Sequence, residues 1–484
     1  MLFRSTDAEA YLPPGFRLAC QARVEPAATD VEFGILRRRM RILGPSDDTH
    51  TDIDPVVTVD GDRVCYAGTP IDTFRGRVLG LAVDIGTTTV AFQLVDLRTG
   101  RSIAGGAMEN PQRFGGSDVM ARIAFDRTRP GELRDALRRV LNHELRDLYA
   151  REGIDRREVY EAVIAANTTM RDLFFGLDVS PIGESPYRST TEHARRAGET
   201  ATTTIVRKAH EVGLLIGPGA PVIGAPLISG HVGGDIAADL VATDFGSLPG
   251  VSLLVDIGTN TEVVLTDGER WLAASCPAGP AFEGGLIRFG MPGADGAIER
   301  LRIEDGAFRY ETIGDEPPQG ICGSGLVDLL AELCRTGRMT PEGRFGPGEQ
   351  ELTIAPDQGI TFSRADASQL AQAKAANACG QRILLRRLGI TAGQVDHVYL
   401  AGGFANHLDV ANAIRIGLLA DVQPERVERV GNASLRGAAA LLLSARRRAH
   451  LEATIARIEH VELETDPDFF DMFVDGCQFH PIAA

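Results

Sequence analysis

Lysine is almost missing from this chain of 484 residues: only Lys208 and Lys374 occur, and arginine supplies the other basic positions. No Gly-x-x-x-x-Gly-Lys-Ser/Thr run exists, which excludes a P-loop nucleotide site. Positive charge is short overall, with 50 Lys and Arg against 66 Asp and Glu and a formal net charge of −16. A nucleic-acid surface needs clustered positive charge and a polybasic membrane anchor needs the same, so neither fits. No apolar run reaches the roughly 18 residues of a spanning helix. The N-terminus, with Arg4, Asp7 and Glu9, lacks the apolar stretch of a signal peptide, so the chain reads as cytoplasmic. The seven cysteines (Cys20, Cys65, Cys276, Cys322, Cys334, Cys379 and Cys477) never form a Cys-x-x-Cys pair. That spacing offers neither a disulfide framework nor a zinc site, and the thiols read as small buried apolar groups. No His-Glu-x-x-His occurs either.

What is present is ordinary globular material, 44% hydrophobic and 24% charged, in a chain too long for one core. Residues 1–78 read as a small N-terminal segment and linker, with β-like stretches such as Arg63–Tyr66. From Val78 the pattern is α/β, with buried strands closed by glycine-rich turns and followed by amphipathic helices. Leu133, Leu137, Val140, Leu141, Leu145 and Leu148 share one helical face. Residues 158–166 read as a strand, after which Asn167 caps a helix carrying Leu173, Phe174 and Phe175. Residues 366–388 predict another helix, 398–400 a strand, and 438–458 one long helix with a charged face.

One internal repeat outweighs these features. Leu81-Ala-Val-Asp84-Ile-Gly86-Thr87-Thr88-Thr89 returns as Leu253-Leu-Val-Asp256-Ile-Gly258-Thr259-Asn260-Thr261. The copies lie much further apart than the roughly 20–50 residues of a solenoid repeat. In each, an apolar strand ends in Asp-Ile-Gly-Thr, a second strand follows, and a polar turn closes the unit. Two such hairpins, one per half, imply two similar lobes facing a cleft.

The repeat carries what a nucleotide phosphate tail needs. Gly86 and Gly258 have no Cβ, so main-chain amides can approach phosphate oxygens closely. Thr87, Thr88, Thr89, Thr259 and Asn260 add short side-chain donors. Asp84 and Asp256 close their strands, where a carboxylate can hold Mg²⁺ through its water shell and serve as the catalytic acid group of each turn.

These two turns resemble the phosphate motifs of the superfamily of acetate and sugar kinases, Hsp70 and actin (ASKHA). Tyr399-Leu-Ala-Gly402-Gly403-Phe-Ala-Asn406 resembles its adenosine motif, and Asn167-Thr-Thr and Gly431-Asn-Ala-Ser-Leu-Arg-Gly437 stand where its connecting motifs belong. Ile321-Cys-Gly323-Ser324-Gly325 supplies a further glycine-rich turn before a helix. The resemblance implies two actin-like, ribonuclease H-like lobes around a nucleotide cleft, with ATP and Mg²⁺ as ligands. Gly402, Gly403 and Asn406 would line the adenosine, and Gly323, Ser324 and Gly325 would close one side.

A narrower likeness follows from Glu109-Asn-Pro-Gln-Arg-Phe-Gly-Gly-Ser-Asp-Val-Met-Ala-Arg122, Gly230-His-Val-Gly-Gly-Asp-Ile236 and Ala278-Gly-Pro-Ala-Phe-Glu-Gly284. With Leu400-Ala-Gly-Gly-Phe404 and Val430-Gly-Asn-Ala-Ser434, these are similar to signatures of the reductive activators of corrinoid enzymes. The likeness implies an ATPase that returns Co(II) corrinoid (cobalamin-type) proteins of methyltransferase systems to Co(I). Asp118 and Arg122 would then belong to a functional helix, although alone they form an ordinary i,i+4 surface pair.

Members of that family usually begin with a plant-type [2Fe–2S] ferredoxin domain holding a C-x₄-C-x₂-C run. Here Gly15-Phe-Arg-Leu-Ala-Cys20 resembles only the end of such a domain, and one cysteine cannot hold the cluster. The expectation is a ferredoxin-like remnant at 1–25, a shortened middle domain or linker at 26–77, and lobes at 78–250 and 251–484. Cys20 reads as a vestigial ligand. The expected partners are a corrinoid protein and a separate low-potential electron donor, and a homodimer is allowed.

Three other readings share the phosphate turns. A small-molecule kinase needs a general base, for which Asp235 is the nearest candidate. An Hsp70-like module uses a lysine near the first turn, and residues 78–200 contain none. An activator of the 2-hydroxyacyl-CoA dehydratase type uses paired cysteines after glycine-rich turns; Cys322 invites that role, but Cys276 and Cys322 read better as buried structural thiols near the nucleotide turns.

Overall fold

The computed structural model describes residues 53–482, Phe404 excepted. Cys20 and the 1–25 segment lie outside the described residues. Strands β1 (Val57–Asp60), β2 (Arg63–Tyr66) and β3 (Thr69–Thr73) form a small antiparallel sheet, with the β-like stretch Arg63–Tyr66 as its middle strand. Its inward residues Val57 and Val64 pack on the body of the protein.

The first large sheet contains β4 (Leu79–Ile85), β5 (Thr89–Asp96), β6 (Ser102–Glu109), β7 (Val159–Ala166), β8 (Ile205–Lys208) and β9 (Pro221–Gly224). Its order is β6-β5-β4-β7-β9-β8, an antiparallel meander continued by parallel strands β7 and β9. β7 is buried along its whole length, the mark of a parallel strand covered on both faces. Its one charge, Glu161, is answered by Arg448 at 2.8 Å.

The second half repeats the plan. β10 (Ser252–Ile257), β11 (Thr261–Thr266) and β12 (Trp271–Cys276) form the meander. An insertion then carries β13 (Ala297–Glu304), β14 (Ala307–Thr312) and β15 (Gly320–Ile321) in one small sheet, and β16 (Glu351–Ala355) with β17 (Ile360–Ser363) in another. β18 (His397–Ala401), β19 (Val427–Gly431) and β20 (Ile458–His460) complete a sheet of order β19-β18-β10-β11-β12-β20. The run β12-β11-β10-β18-β19 thus matches β6-β5-β4-β7-β9. This is the two-lobed actin-like α/β fold.

Leu133, Leu137, Leu141, Leu145 and Leu148 of the helix Glu132–Glu152 are buried against the first sheet. Each such leucine contributes about 1.5–3 kcal/mol. The opposite face takes the helices Gly234–Ala242 and Ala433–Leu443, and the latter comes from the second half of the chain. The two cross so closely that a Cβ on Gly437 would meet Ala238 O at 1.9 Å. The single helix expected over 438–458 is instead two, Ala433–Leu443 and Ala445–Ile455, followed by β20. The break falls at Ser444, whose extended backbone and side chain cap the second helix and whose hydroxyl donates to Asp54. The first helix has an apolar, buried face rather than a charged one, because it fills the seam between the sheets.

Among the described residues no helix is long and apolar enough to cross a membrane.

Candidate functional site

Each copy of the repeat folds into a hairpin whose turn is closed on itself. Gly86 N–H donates to Thr89 O and Gly258 N–H to Asn260 O, both at 2.9 Å. A Cβ on Gly86 would stand 2.7 Å from Thr89 O, so the first turn admits only glycine. The register Ile85↔Val90 and Ile257↔Thr261 fixes both bends at the ends of their meanders.

The two bends face each other. Thr88 Oγ1 and Thr259 Oγ1 lie 3.5 Å apart, and both donate to the same Glu283 Oε2 at 2.7 Å. The halves of the chain therefore meet at hydroxyls that the sequence assigns to phosphate.

The first turn is held from behind by a shell of buried polar groups. Asn110 Nδ2 donates to Gly86 O at 2.8 Å, and Asn110 N–H to Thr88 O at 2.7 Å. Asn167 caps its helix through Met170 N–H and also donates to Thr87 Oγ1 at 3.2 Å. Arg122 is fully buried and donates to Thr87 O at 2.6 Å and Gly116 O at 3.1 Å. It is no surface partner of Asp118, which instead caps the helix Val119–Thr128. Burial lowers the Arg122 pKa to about 10.

Acidic groups gather under the turns. Burial first, then the charges of Asp235 and Asp256, push Asp84 up to about 7, while a 2.8 Å hydrogen bond from Asn432 Nδ2 pulls the other way. Asp256 is likewise pushed to about 7 by burial and by Asp235, and Asp235 to about 6 by burial. Asp239 and Glu262 stand well above the usual carboxylate range, burial being the main cause in both. Glu262 occupies the place that Val90 holds in the first copy, and it accepts from Ser275 Oγ at 3.0 Å. Neither lysine approaches: Lys208 ends β8, and the buried Lys374 donates to Gln478 O at 2.5 Å.

A divalent cation fits this donor set, since neighbouring carboxylates that raise one another's pKa gain from a shared positive charge. No three His, Cys, Asp or Glu side chains among the described residues converge tightly enough for direct ligation.

The glycine pair lies beside the second turn. Gly402 has φ 116 and its N–H donates to Gly431 O at 3.1 Å, and a Cβ there would meet Ile257 O at 2.2 Å. Gly403 has nothing within 4 Å of its Cβ position and faces open space, while the Asn406 amide sits against Gly431. Gly323, Ser324 and Gly325 are buried at the start of the helix Gly323–Arg335, which packs on the 3₁₀ turn Pro280–Glu283. Ser324 Oγ donates to Glu299 O at 2.9 Å, and Gly325 is pressed on Ile298 O. No hydrogen bond among the described residues joins them to the phosphate turns. Asp235 accepts from the N–H of Ile236 at 2.9 Å, at the start of a helix between the lobes. Cys276 and Cys322 are both buried. Two cavities, of about 370 Å³ around His231 and His460 and about 930 Å³ along Arg300 and Asn412, contain none of the turn residues. Hydrogen-bond geometry, not cavity size, marks the site.

Glu283, Asn432 and Glu262 escaped the sequence reading as site residues. Glu283 and Asn432 fall inside motifs quoted for the family resemblance, and Glu262 is a charge set in an apolar strand.

Comparison with known proteins matches residues 250–483 to a model described as the C-terminal domain of RACo, the ASKHA domain, and residues 79–247 to the RACo middle region. The corrinoid activation enzyme RamQ of Eubacterium limosum is 31% identical over 87% of this chain and 74% of its own length. The chain belongs to the reductive activators of corrinoid enzymes. A second such relative, the reductase of a Co(II) methylated amine-specific corrinoid protein from Methanosarcina barkeri, is 25% identical over 82% of this chain and 76% of its own. The solved reductive activator for corrinoid, iron–sulfur protein has a TM-score of 0.77 and 34% identity, covering 87% of this chain and 70% of that one.

Proposed function

We propose that this reductive activator uses ATP to return a Co(II) corrinoid protein of a methyltransferase system to Co(I). The observation that carries the nucleotide half of this reading is the 3.5 Å approach of Thr88 and Thr259, which turns two distant Asp-Ile-Gly-Thr bends into one site. Residues 78–250 and 251–484 are taken as the two lobes. Thr87–Thr89 and Thr259–Asn260, with the amides around Gly86 and Gly258, bind the phosphates. Gly402, Gly403 and Asn406 lie along the ribose and base. Gly323–Gly325 shape the wall behind β13.

Asp84 and Asp256, backed by Asp235, would hold Mg²⁺ through its waters, and the ion would neutralise charge on the phosphate tail. These carboxylates also orient the water that attacks the terminal phosphorus, which leaves ADP and phosphate. The chain's own groups bind, orient and hold protons. The electron comes from a separate low-potential donor, and the cobalt stays with the partner protein. ATP drives the uphill step by favouring a closed arrangement of the lobes that binds one state of the partner better than the other. The protein acts in the cytoplasm, and a homodimer is compatible with this scheme. Cys20, read as a vestige of the [2Fe–2S] ligand set of family members, lies outside the described residues.

The test is conversion of a purified Co(II) corrinoid protein to Co(I), followed by its absorbance, with an added low-potential reductant. ATP with Mg²⁺ should accelerate it strongly over reductant alone. Equal rates with and without ATP would overturn the reading.

A further inference from the structure

A single carboxylate oxygen currently does what a phosphate oxygen would do. Glu283 Oε2 accepts from Thr88 Oγ1 and from Thr259 Oγ1, each at 2.7 Å, and these hydroxyls belong to opposite halves of the chain. Each hydroxyl has one proton to give, so neither can serve Glu283 and a phosphate oxygen at once. Two anions also cannot share that point without strong repulsion. Glu283 adds to the charge that raises the Asp256 pKa, so it already burdens an acidic centre.

The turn that carries Glu283 is anchored in the core through the buried Ala281 and Phe282, so what can leave the two hydroxyls is the Glu283 side chain. The turn is a short 3₁₀ element, Pro280–Glu283, bounded by Gly279 at φ 77 and Gly284 at φ 86. Beyond it Leu286 sits in the left-handed region at φ 64 and is 70% exposed, an uncommon state for a large apolar residue. The far end is pinned, since Arg288 N–H donates to the buried Asp366 at 2.9 Å.

We propose that Glu283 is a removable clasp: its carboxylate bridges the two phosphate turns until the terminal phosphate of ATP takes both hydroxyls, which displaces the Glu283 side chain. The inference rests on the nucleotide reading of the cleft. Glu283 is thus a positioning residue that sets affinity for the triphosphate.

The experiment compares the full chain with Glu283→Ala and Glu283→Gln, by calorimetric titration with a non-hydrolysable ATP analogue and with ADP, both with Mg²⁺. Removing the competing carboxylate should tighten the ATP analogue about tenfold in both variants and ADP much less, since only the third phosphate meets the clasp. Equal or weaker binding of the analogue by both variants overturns the clasp. So does unchanged affinity with lost turnover, which would place Glu283 on the attacking water. A wild type that binds neither nucleotide instead brings down the underlying nucleotide reading.

Discussion

Asn432 donates its side-chain amide to Asp84 across the two halves of the chain, at 2.8 Å. The same side chain caps its own helix through Leu435 N–H, also at 2.8 Å. One residue thus fixes where a second-half helix begins and keeps a first-half carboxylate from rising still higher in pKa.

Asn432→Ala removes the hydrogen bond that lowers the Asp84 pKa, now about 7. The ionised carboxylate is the form that can hold a cation, so ATP turnover should rise with pH through that region in the wild type. In the variant the rise should move up by on the order of one pH unit. Loss of the cap should also cost about 0.5–2 kcal/mol in denaturant titration. Asn432→Asp keeps a cap and should show the pH displacement with a smaller loss of stability. A pH–rate profile unchanged in both variants would contradict this role.

Stability should follow the same carboxylates. Asp84 and Asp256 sit at about 7 and Asp235 at about 6, all above the unfolded value. Raised carboxyls lend stability that is complete below about pH 4 and is lost as pH climbs through the folded values. Without metal or nucleotide, thermal unfolding should therefore move to lower temperature between about pH 4 and pH 7. Mg²⁺ should restore more of it at the upper end, because the cation needs ionised ligands. Asp84→Asn should unfold at higher temperature than wild type near pH 8 without Mg²⁺, yet lose the Mg²⁺ response and nucleotide-dependent activity.

The two adjacent glycines should part company on substitution. Gly402→Ala forces a Cβ at φ 116 to within 2.2 Å of Ile257 O, the residue before the second turn. It should lose well over about 1 kcal/mol of stability and weaken nucleotide binding as well. Gly403→Ala meets nothing within 4 Å and should leave the unfolding midpoint unchanged. Any loss of nucleotide affinity in Gly403→Ala then reports contact with the ligand itself.

Arg122→Ala strips a buried donor from Thr87 O and Gly116 O. Each buried carbonyl left without a partner costs about 1–3 kcal/mol, so this variant should be markedly destabilised and bind nucleotide poorly. Arg122→Lys should recover stability only in part, since an ammonium cannot reach both carbonyls in the fixed fork of a guanidinium. A surface residue would tolerate either change.

The sequence disclosed the turns well because a repeated strand–bend–strand is a local signal. Asp84, Gly86, Asp256 and Gly258 could be read from order alone, and the meanders around them follow. Glu283 and Asn432 could not, since their significance comes from a hydrogen bond to a residue in the other half. Arg122 was misjudged for a related reason. Its i,i+4 spacing to Asp118 is common on exposed helices, and only the surrounding Met170 and Thr87 show that it points inward. The break at Ser444 was hidden because helical periodicity runs through it, whereas the contact that splits the helix is with Asp54.

The helix Ala433–Leu443 lies on the sheet of the opposite half, where Leu442 touches Gly80 and Leu97 while Ala438–Leu443 share a core with Val78, Ala82 and Val163. Severing the chain in the loop near Leu248 would therefore not yield two self-sufficient fragments. The leading piece would keep a bare oily surface, and the trailing one would carry an orphaned plug that fits nothing of its own. Co-expressed, the fragments should find each other; expressed singly, each should aggregate.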